Sequence, residues 1–480
     1  MIFASARGTF NTYDAGQRAH EAFGYRFHDS PVCWEDATER DEKPAAHPER
    51  PPPACGQQQQ QRAPDAGDAE RRDLPAPIVE TVDLERVRTW AEPGAADVIA
   101  VVTDPAIFEA AVVRPDQRGV QVDMGAGRTL RVSAKRLHRL IELRYIRLMR
   151  RPPEWGSVCS IFFVPKDENY DRTIYNGIPL NARCNPPPNV AFAPLHDMLA
   201  ALTRPDVGAY RCYDFSTWFV QLRAHPQVQR VFCVRRADGV WYRMTGLPMG
   251  WSWAPVIAQR VAETIVRETM RRLGAGVAAR VTTYVYIDNV VYAVRRGEFL
   301  QQDLDAIDRM FRIVCAEAGA ALKESASVVG ATVDWLGCML TAGSRHVCFR
   351  AAFVAKCAEV EAEMLRPHYP VRLAWKAIAV TVRALWVAQR PLAEIADALR
   401  WLVRTAVALG EDRLRWDSPC VLWAAALAQL RRVWAWLRDT NGAFEVMEVD
   451  SAPTGCWGNS DAAGAASGAR GFHPPTSRQI

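Results

Sequence analysis

Apolar side chains recur at helical spacing in two stretches near the middle of the chain. Residues 302–318 carry five of them on one face, namely Leu304, Ile307, Met310, Phe311 and Val314. This period predicts an amphipathic helix with those side chains directed inward. The stretch from Val256 to Arg272 has the same period, and it predicts a second helix over residues 255–273.

Shorter apolar runs predict strands around these helices. β-branched and aromatic residues surround Asp288 in the stretch Tyr284–Ala293, which indicates two strands joined by a tight turn. Residues 155–185 predict a strand, a turn and a strand. After residue 214 the pattern predicts four short elements: a helix at 216–223, a strand at 229–234, a turn at Ala237–Gly239 and a strand at 240–245. Helices that alternate with antiparallel strands predict the α+β fold class.

Two more regions have helical periodicity. Residues 130–149 place one apolar stripe along a predicted helix: Leu137, Leu140, Ile141, Tyr145 and Leu148. Beyond residue 352 the pattern is helical and rich in tryptophan among Arg and Lys: Trp375, Trp386, Trp401, Trp423, Trp434 and Trp436. Such rings can stack on nucleic-acid bases, but tryptophan at helical spacing more often lies in a core. We favour the core interpretation.

Composition sets limits on the rest of the chain. Residues 1–75 are rich in Pro, Ala and charged residues and show no sustained period, so they predict a disordered extension. The twelve cysteines form no Cys-x-x-Cys pair and no Cys/His cluster at zinc spacing, so neither a disulfide scaffold nor a structural zinc is expected. No run of 18 uncharged apolar residues occurs. We expect a soluble, intracellular protein of the cytoplasm or nucleus without a membrane partner.

Charge is concentrated in one basic run. The formal net charge of the 480 residues is only +5, which permits nucleic-acid binding without arguing for it. Residues 128–151, in contrast, carry nine Arg and Lys against a single acid, Glu142. Such a run is either a solvated face or a surface that follows phosphates, and the sequence leaves both interpretations open.

Two aspartates carry the candidate chemistry. Asp288 lies at the tip of the predicted hairpin, and Asp214 lies in Arg211–Phe219 upstream. Taken alone, Asp288-Asn289 is an ordinary turn pair, because Asp and Asn are favoured in tight hairpins. Two carboxylates at turns on adjoining strands are also what a pair of Mg²⁺ ions needs for phosphoryl transfer.

Further motifs stand in order around the two aspartates. Upstream are Ser160–Lys166 and Arg172–Asn181, between them is Thr245–Pro255, and downstream are Ala318–Lys323 and Val333–Gly337. This series resembles that of reverse transcriptases, in the branch shared by retroviruses, LTR retrotransposons and tyrosine-recombinase (DIRS-like) elements. The resemblance covers residues 85–345 closely and the following helical part loosely.

The resemblance implies a right-hand polymerase fold. Residues 76–345 would form the fingers and palm, and residues 346–442 a helical thumb and connection. Residues 443–480 would be either a truncated RNase H start, with Asp461 at its first metal-ligand position, or a disordered tail. The implied partners are an RNA template, a DNA primer and dNTPs, and the oligomeric state stays open.

The resemblance also implies roles for single residues. Asp214, the carbonyl of Phe215 and Asp288 would hold two Mg²⁺ ions, with Mn²⁺ as the alternative metal. Nucleotide binding would fall to Lys166, Arg172, Phe215, Phe219, Met249 and Gly250, and the primer grip to Trp335, Leu336 and Gly337.

Lys166 and Arg172 would clamp the triphosphate. Lys323, a further member of the catalytic set, would donate a proton to pyrophosphate. The ring of Phe219 would lie against the sugar 2′ position. Gly250 would let the backbone approach template and nucleotide.

The sequence departs from the family pattern in four places. Asn176 and Ile178 stand where Asp and Arg are usual, and Met249 stands where many members have Gln. Asn289, a further member of the catalytic set, replaces the second aspartate of the Tyr-x-Asp-Asp box and removes one negative charge. Two functions follow: an active RNA-directed DNA polymerase of a mobile element, or a catalytically inactive or co-opted nucleic-acid-binding relic.

Overall fold

The computed structural model describes residues 72–75, 81–124, 130, 132–166, 169–188, 195–410 and 413–446. Most of the predicted extension, and the predicted tail from residue 447 with Asp461, lie outside the described residues. Residues 72–75 depart from the predicted disorder. Asp73 forms a bridge with Tyr170, and the side chain of Leu74 is fully buried.

Fifteen α-helices, besides three short 3₁₀ helices, are present in the described residues. The first eight are α1 (Leu84–Trp90), α2 (Pro93–Thr103), α3 (Pro105–Val112), α4 (Ala134–Glu142), α5 (Ile178–Asn181), α6 (Leu195–Leu202), α7 (Trp218–Gln221) and α8 (Pro226–Val231). The others are α9 (Ala254–Leu273), α10 (Ala275–Ala278), α11 (Leu300–Ala318), α12 (Ala351–Glu363), α13 (Val371–Val387), α14 (Ala396–Gly410) and α15 (Ala424–Asp439). Among them, none combines the length and apolarity that crossing a bilayer requires.

Strands occur in five small sheets within the same residues. A central sheet has the order β7-β8-β4-β9, with β4 (Val207–Asp214), β7 (Val281–Tyr286), β8 (Asn289–Arg295) and β9 (Val328–Gly330). A second has the order β10-β11-β12-β15, with β10 (Thr332–Trp335), β11 (Cys338–Thr341), β12 (His346–Phe349) and β15 (Ala443–Glu445). The others are β1-β6-β5, β2-β3 and β13-β14, with β1 (Ile146–Met149), β2 (Ser160–Pro165), β3 (Asp171–Asn176), β5 (Cys233–Arg235), β6 (Trp241–Met244), β13 (Tyr369–Pro370) and β14 (Pro419–Cys420).

Strand β8 supplies side chains to two hydrophobic cores. Val290, Tyr292 and Val294 belong to the first core, which includes the apolar faces of helices α9 and α11. Val291 and Ala293 belong to the second core, which includes the C-terminal helices α12 to α15. Because successive strand residues point to opposite faces, the central sheet is covered on both sides. This explains why the strand is apolar at every position from 290 to 294.

The two long central helices are confirmed, whereas the helix predicted over residues 130–149 is wrong in its second half. Helix α4 ends at Glu142, Arg144 has a φ of +57°, and strand β1 begins at Ile146. The amide of Tyr145 donates to the carbonyl of Leu140 at 2.9 Å, a bond that closes a helix through a left-handed residue. The apolar stripe therefore belongs to a helix and a strand in succession.

A second error concerns the strand predicted at 229–234. Residues 226–231 form helix α8, and β5 covers only 233–235. Pro226 stands at the first helical position, where its missing N–H costs nothing, and the ring nitrogen of His225 accepts a hydrogen bond from the amide of Gln227. Pro226 and His225 are thus local signals for the start of a helix. The apolar run that follows them resembles a strand, which explains the wrong prediction.

The C-terminal tryptophans divide between core and surface. Trp401 and Trp434 are buried, as the core interpretation predicts. Trp386 and Trp423, in contrast, are exposed, so the core interpretation does not hold for them. The indole N–H of Trp434 donates to the hydroxyl of Thr381 at 2.9 Å, which satisfies the polar atom of a ring inside the core.

Candidate active site

The β7–β8 hairpin places Asp288 in a two-residue turn. Tyr286 and Asn289 are the last paired residues of the hairpin, so Ile287 and Asp288 form the turn between them. Ile287 has a φ of +59°, a conformation that is unfavourable for a β-branched residue. The turn therefore needs support from outside the hairpin.

Gln259 of helix α9 supplies that support. Its side-chain oxygen accepts from the amide of Ile287 at 2.6 Å, and its side-chain nitrogen donates to the carbonyl of Val285 at 3.0 Å. Gln259 is buried, and this one side chain bonds both a backbone group of the turn and one of strand β7. Sequence reasoning missed this residue; the available signal is one glutamine on the buried face of an otherwise apolar helix.

Strand pairing brings the two aspartates together. Asp214 ends strand β4 directly opposite Asn289, the residue after Asp288. The amide of Phe215 donates to the carbonyl of Asp288 at 2.9 Å. The two carboxylates thus come from neighbouring antiparallel strands at the same end of the central sheet, as the sequence predicted.

The aspartates stand in an environment that opposes their charge. Burial, followed by the neighbouring Asp288 carboxylate, raises the pKa of Asp214 to about 6, while Lys323 and Lys166 oppose the rise. Burial also raises the pKa of Asp288, against the effects of Arg172, Asn289 and Lys166. A site of this kind attracts cations, because a positive charge relieves both the burial and the repulsion.

Three predicted cations surround the pair. Lys166 and Arg172 are exposed and lie at the end of the β2–β3 hairpin, where Arg172 is paired with Val164. Lys323 is held by its own backbone, because its amide donates to the carbonyl of Asp214 at 2.8 Å. All three act on the pKa of at least one aspartate, so the fold collects residues that are far apart in the sequence.

A second glutamine fixes the position of Lys323. The side-chain nitrogen of Gln221 donates to the carbonyls of Ser216 and Ala321, and its oxygen accepts from the amide of Ala321 at 2.7 Å. Gln221 is buried in helix α7. It therefore ties the segment after Asp214 to the segment before Lys323.

Asn289 contacts the neighbouring carboxylate. Its side-chain nitrogen donates to Oδ1 of Asp288 at 2.9 Å. The amide therefore orients Asp288, which a second carboxylate in its place would not do.

Phe215 and Phe219 present different groups to the site. The ring of Phe215 is buried and stacks on Trp218 with centroids 4.1 Å apart, so only the backbone of Phe215 is available. Phe219 is half-buried, and its carbonyl accepts from the amide of Leu247 at 2.9 Å. This bond ties Phe219 to the loop that leads to Met249 and Gly250.

Gly250 is required by a contact within the protein. It has a φ of +126°, and a Cβ added to it would lie 1.9 Å from the carbonyl oxygen of Tyr175. The amide of Tyr175 donates to the carbonyl of Met249 at 2.9 Å. Gly250 thus lies close to the end of strand β3, and its approach to a template or nucleotide stays a prediction.

The predicted primer-grip residues form a tight turn between β10 and β11. Leu336 and Gly337 both have positive φ, and the side chain of Arg383 donates to the carbonyl of Leu336 at 2.9 Å. Trp335 is buried in the second core. Leu336 and Gly337 are half-buried, and the contact of this turn with a primer stays a prediction.

The donor set of the site suits a hard divalent cation. Two carboxylates, the carbonyl of Phe215 and the amide oxygen of Asn289 are all oxygen donors, which Mg²⁺ prefers. Within the described ranges no cluster of three or more His, Cys, Asp or Glu side chains could hold a metal. A metal here would rely on two carboxylates supplemented by backbone, substrate and water oxygens, which is usual for Mg²⁺.

No protein-family model and no curated protein sequence matches this chain. Among solved structures, it is similar to a foamy viral protease-reverse transcriptase in complex with double-stranded DNA, with 12% identity, a TM-score of 0.44 and coverage of 77% of this chain and 63% of that one. It is also similar to the foamy viral protease-reverse transcriptase with an RNA/DNA hybrid, with 14% identity, a TM-score of 0.48 and coverage of 77% and 48%.

The chain thus spans less than two thirds of the length of either structure. At these identities and TM-scores the function has to be argued from the site itself.

Proposed function

We propose that this chain is a nucleic-acid polymerase of the reverse-transcriptase type, which extends a DNA primer on an RNA template with dNTPs. The observation that carries the proposal is the meeting of Asp214 and Asp288 on neighbouring strands with Lys166, Arg172 and Lys323 around them. Two carboxylates with three cations nearby are typical of a site that binds a polyphosphate substrate. A turn with a purely structural role would not need these cations. The ordered motif series favours the LTR/DIRS-like branch of a mobile element.

The residues of the chain divide the work of such a reaction. Two Mg²⁺ ions, when bound by Asp214, Asp288 and the carbonyl of Phe215, would supply charge neutralisation for the attacking and leaving oxygens. Lys166 and Arg172 would bind the triphosphate. Lys323 would hold a proton near the leaving pyrophosphate, and Phe219 would contact the sugar. Catalysis by these residues would consist mainly of positioning.

A second function is favoured by Asn289. Asn289 donates to Asp288 and is a neutral residue where the family pattern has a second carboxylate, so the site offers less negative charge to metals. A chain that keeps the fold and its cations but binds metal too weakly would be a nucleic-acid-binding relic. It would bind template–primer without extending it.

Primer extension on an RNA template, in Mg²⁺ and in Mn²⁺, separates the two functions. We expect Asp214→Asn and Asp288→Asn to lower the extension rate at least about 100-fold, the scale found when one charge-stabilising group is removed from an active site. Asp305→Asn is the matched control, since Asp305 is exposed on helix α11. Near wild-type extension by either site variant would refute the metal assignment. No extension by the wild-type chain in either metal would leave the relic function.

A further inference from the structure

The basic run of residues 128–151 is divided by the fold into two groups. Arg136 is paired with Asp171, and Arg139 bonds Asp73 at 2.9 Å and Glu142 at 3.0 Å. These cations are neutralised inside the protein. Arg144 and Arg147 lie beyond the end of helix α4 and have no such partner among the described residues.

Backbone pairing places these two arginines beside others from distant parts of the chain. Arg147 of edge strand β1 stands directly opposite Arg243 of β6. The carbonyl of Arg144 accepts from the hydroxyl of Thr245 at 2.5 Å, and the carbonyl of Leu222, next to Arg223, accepts from the amide of Leu247 at 3.0 Å. The segment 245–247 therefore brings the backbone of Arg144 close to that of Arg223.

Arg230 of helix α8 completes the group. Its guanidinium donates to the carbonyl of Pro152 at 3.1 Å, and that of Arg243 donates to the carbonyl of Pro226 at 2.8 Å. Both side chains are thus held by backbone groups and keep their full charge. We call Arg144, Arg147, Arg223, Arg230 and Arg243 the arginine row.

The row carries uncompensated positive charge. In the part of the chain that the structure describes, none of its members forms an ion pair, and the Nε atoms of Arg223 and Arg243 are buried without a hydrogen-bond partner. Burial, Arg147 and Arg144 lower the pKa of Arg223, and burial, Arg147 and Arg230 lower that of Arg243. Like charges directly opposite on two strands are destabilising, so the fold maintains this arrangement at a cost that an anion would remove.

The shape of the row indicates what kind of anion fits. Along the segment 243–247, Arg243 pairs with Arg147, Thr245 bonds the backbone of Arg144, and Leu247 bonds the residue before Arg223. These points follow one another along a single stretch of backbone, so the arginines are spread along a line rather than gathered around one point. Guanidinium groups bind phosphates through paired N–H donors, and a line of them matches a chain of phosphates.

We propose that the arginine row binds the phosphodiester backbone of a single-stranded nucleic acid outside the aspartate pair. It shares with the proposed function only the need for a nucleic-acid partner. The cations that act on Asp214 and Asp288 are Lys166, Arg172 and Lys323, a set separate from the row. The row would hold a strand that continues beyond the reacting end.

The test measures binding of a fluorescent RNA strand of about 20 nucleotides, longer than most single-strand sites, to the full chain over a salt titration. The variant Arg147→Gln/Arg223→Gln is suitable because neither side chain donates a hydrogen bond within the described residues. The control is Arg204→Gln/Arg236→Gln, in which both arginines are paired with nearby aspartates.

We expect the row variant to bind at least about 10-fold more weakly and its log–log salt slope to fall by about 1.4, since each phosphate contact on a single strand contributes about 0.7. The control should match the wild type in both. Arg147→Lys/Arg223→Lys should keep most of the slope, because charge is retained while the paired donors are lost. Thermal unfolding of the Gln variant should not occur at a lower temperature than in the wild type, because a repulsion has been removed.

Two results would overturn the proposal. One is an unchanged affinity and slope in the Gln variant. The other is calorimetric binding of inorganic phosphate that the Gln variant loses while its RNA binding stays intact, which would identify a small-anion site. The variant Asp214→Asn separates this proposal from the proposed polymerase function. It should lose primer extension but still bind RNA through the arginine row.

Discussion

At the scale of the residue, Asn289 decides how the site is charged. Its amide donates to Asp288, so the turn is held by a hydrogen bond where two carboxylates would repel one another. We expect a site with Asn289 to be easier to fold, and to bind a metal more weakly, than a site with two adjacent carboxylates. Replacing Asn289 by Asp should therefore affect both metal-dependent activity and stability, and each effect can be measured.

We expect Asn289→Asp to raise Mg²⁺-dependent extension, with a smaller gain in Mn²⁺, which tolerates softer ligation. Without metal, the same variant should unfold more easily by about 1–3 kcal/mol, because the half-buried carboxylate of Asp288 loses its donor. Extension and thermal unfolding across a metal titration measure both effects. Asn289→Ala is the control, since it loses the hydrogen bond without adding charge. An unchanged or slower Asn289→Asp enzyme would show that the site has adapted to the amide.

Gly250 gives a second prediction at this scale. Gly250→Ala places a Cβ 1.9 Å from the carbonyl oxygen of Tyr175 at a φ of +126°, so the loop and strand β3 must separate. We expect a loss of roughly 3 kcal/mol or more in the free energy of unfolding. Gly94→Ala is the matched control: nothing lies within 4 Å of the added Cβ, and alanine should gain up to about 1 kcal/mol in a helix. Equal denaturation midpoints for the two variants would contradict the steric account.

At the scale of the element, helix α9 supports the β7–β8 hairpin that carries Asp288. Gln259 bonds both the amide of Ile287 and the carbonyl of Val285, so the position of Asp288 depends on a helix rather than on the turn alone. The strained conformation of Ile287 at positive φ is maintained only while Gln259 supports it.

Gln259→Ala should therefore slow extension while leaving template–primer affinity unchanged. Two buried backbone groups lose their partners, at about 1–3 kcal/mol each. Gln259→Glu keeps the acceptor for Ile287 but loses the donor to Val285 and faces Glu263, so an intermediate rate is expected. Steady-state extension rates and equilibrium binding measure the two effects separately. If Gln259→Ala extended primers at the wild-type rate, the hairpin alone would hold the turn, and the supporting role of Gln259 would be wrong.

The elements that the sequence predicted correctly are those specified locally. The helix predicted over 302–318 follows from its apolar period, and the hairpin around Asp288 follows from β-branched residues that flank a turn pair. The helix end at Glu142 was missed because an apolar stripe continued through Tyr145 into a strand. The roles of Gln259 and Gln221 depend on bonds to segments 28 and 100 residues away, which no local pattern contains.

At the scale of the whole molecule, the central sheet joins the two halves of the chain. One face packs in the first core and the other in the second. The boundary predicted after residue 345 falls between β11 and β12, which are paired strands of one sheet. The C-terminal helices therefore complete the fold of the part that carries the aspartates.

We expect a fragment of residues 72–345 to be insoluble, because it would expose the sheet face that carries Cys212, Val291 and Ala293. The full chain should unfold in one transition, with tryptophan fluorescence and far-UV circular dichroism coincident. A soluble fragment with its own cooperative melting curve would show that the two cores are independent.

The two-sided burial of strand β8 also determines where this chain tolerates changes in length. One inserted residue would exchange every side chain between the two cores and move Asp288 out of register with Asp214. The turn at Ala237–Gly239 has no such coupling, since Ala237 and Asp238 are exposed. Natural variation in length, and any inserted tag or sensor, should therefore accumulate at that turn and be absent from strand β8.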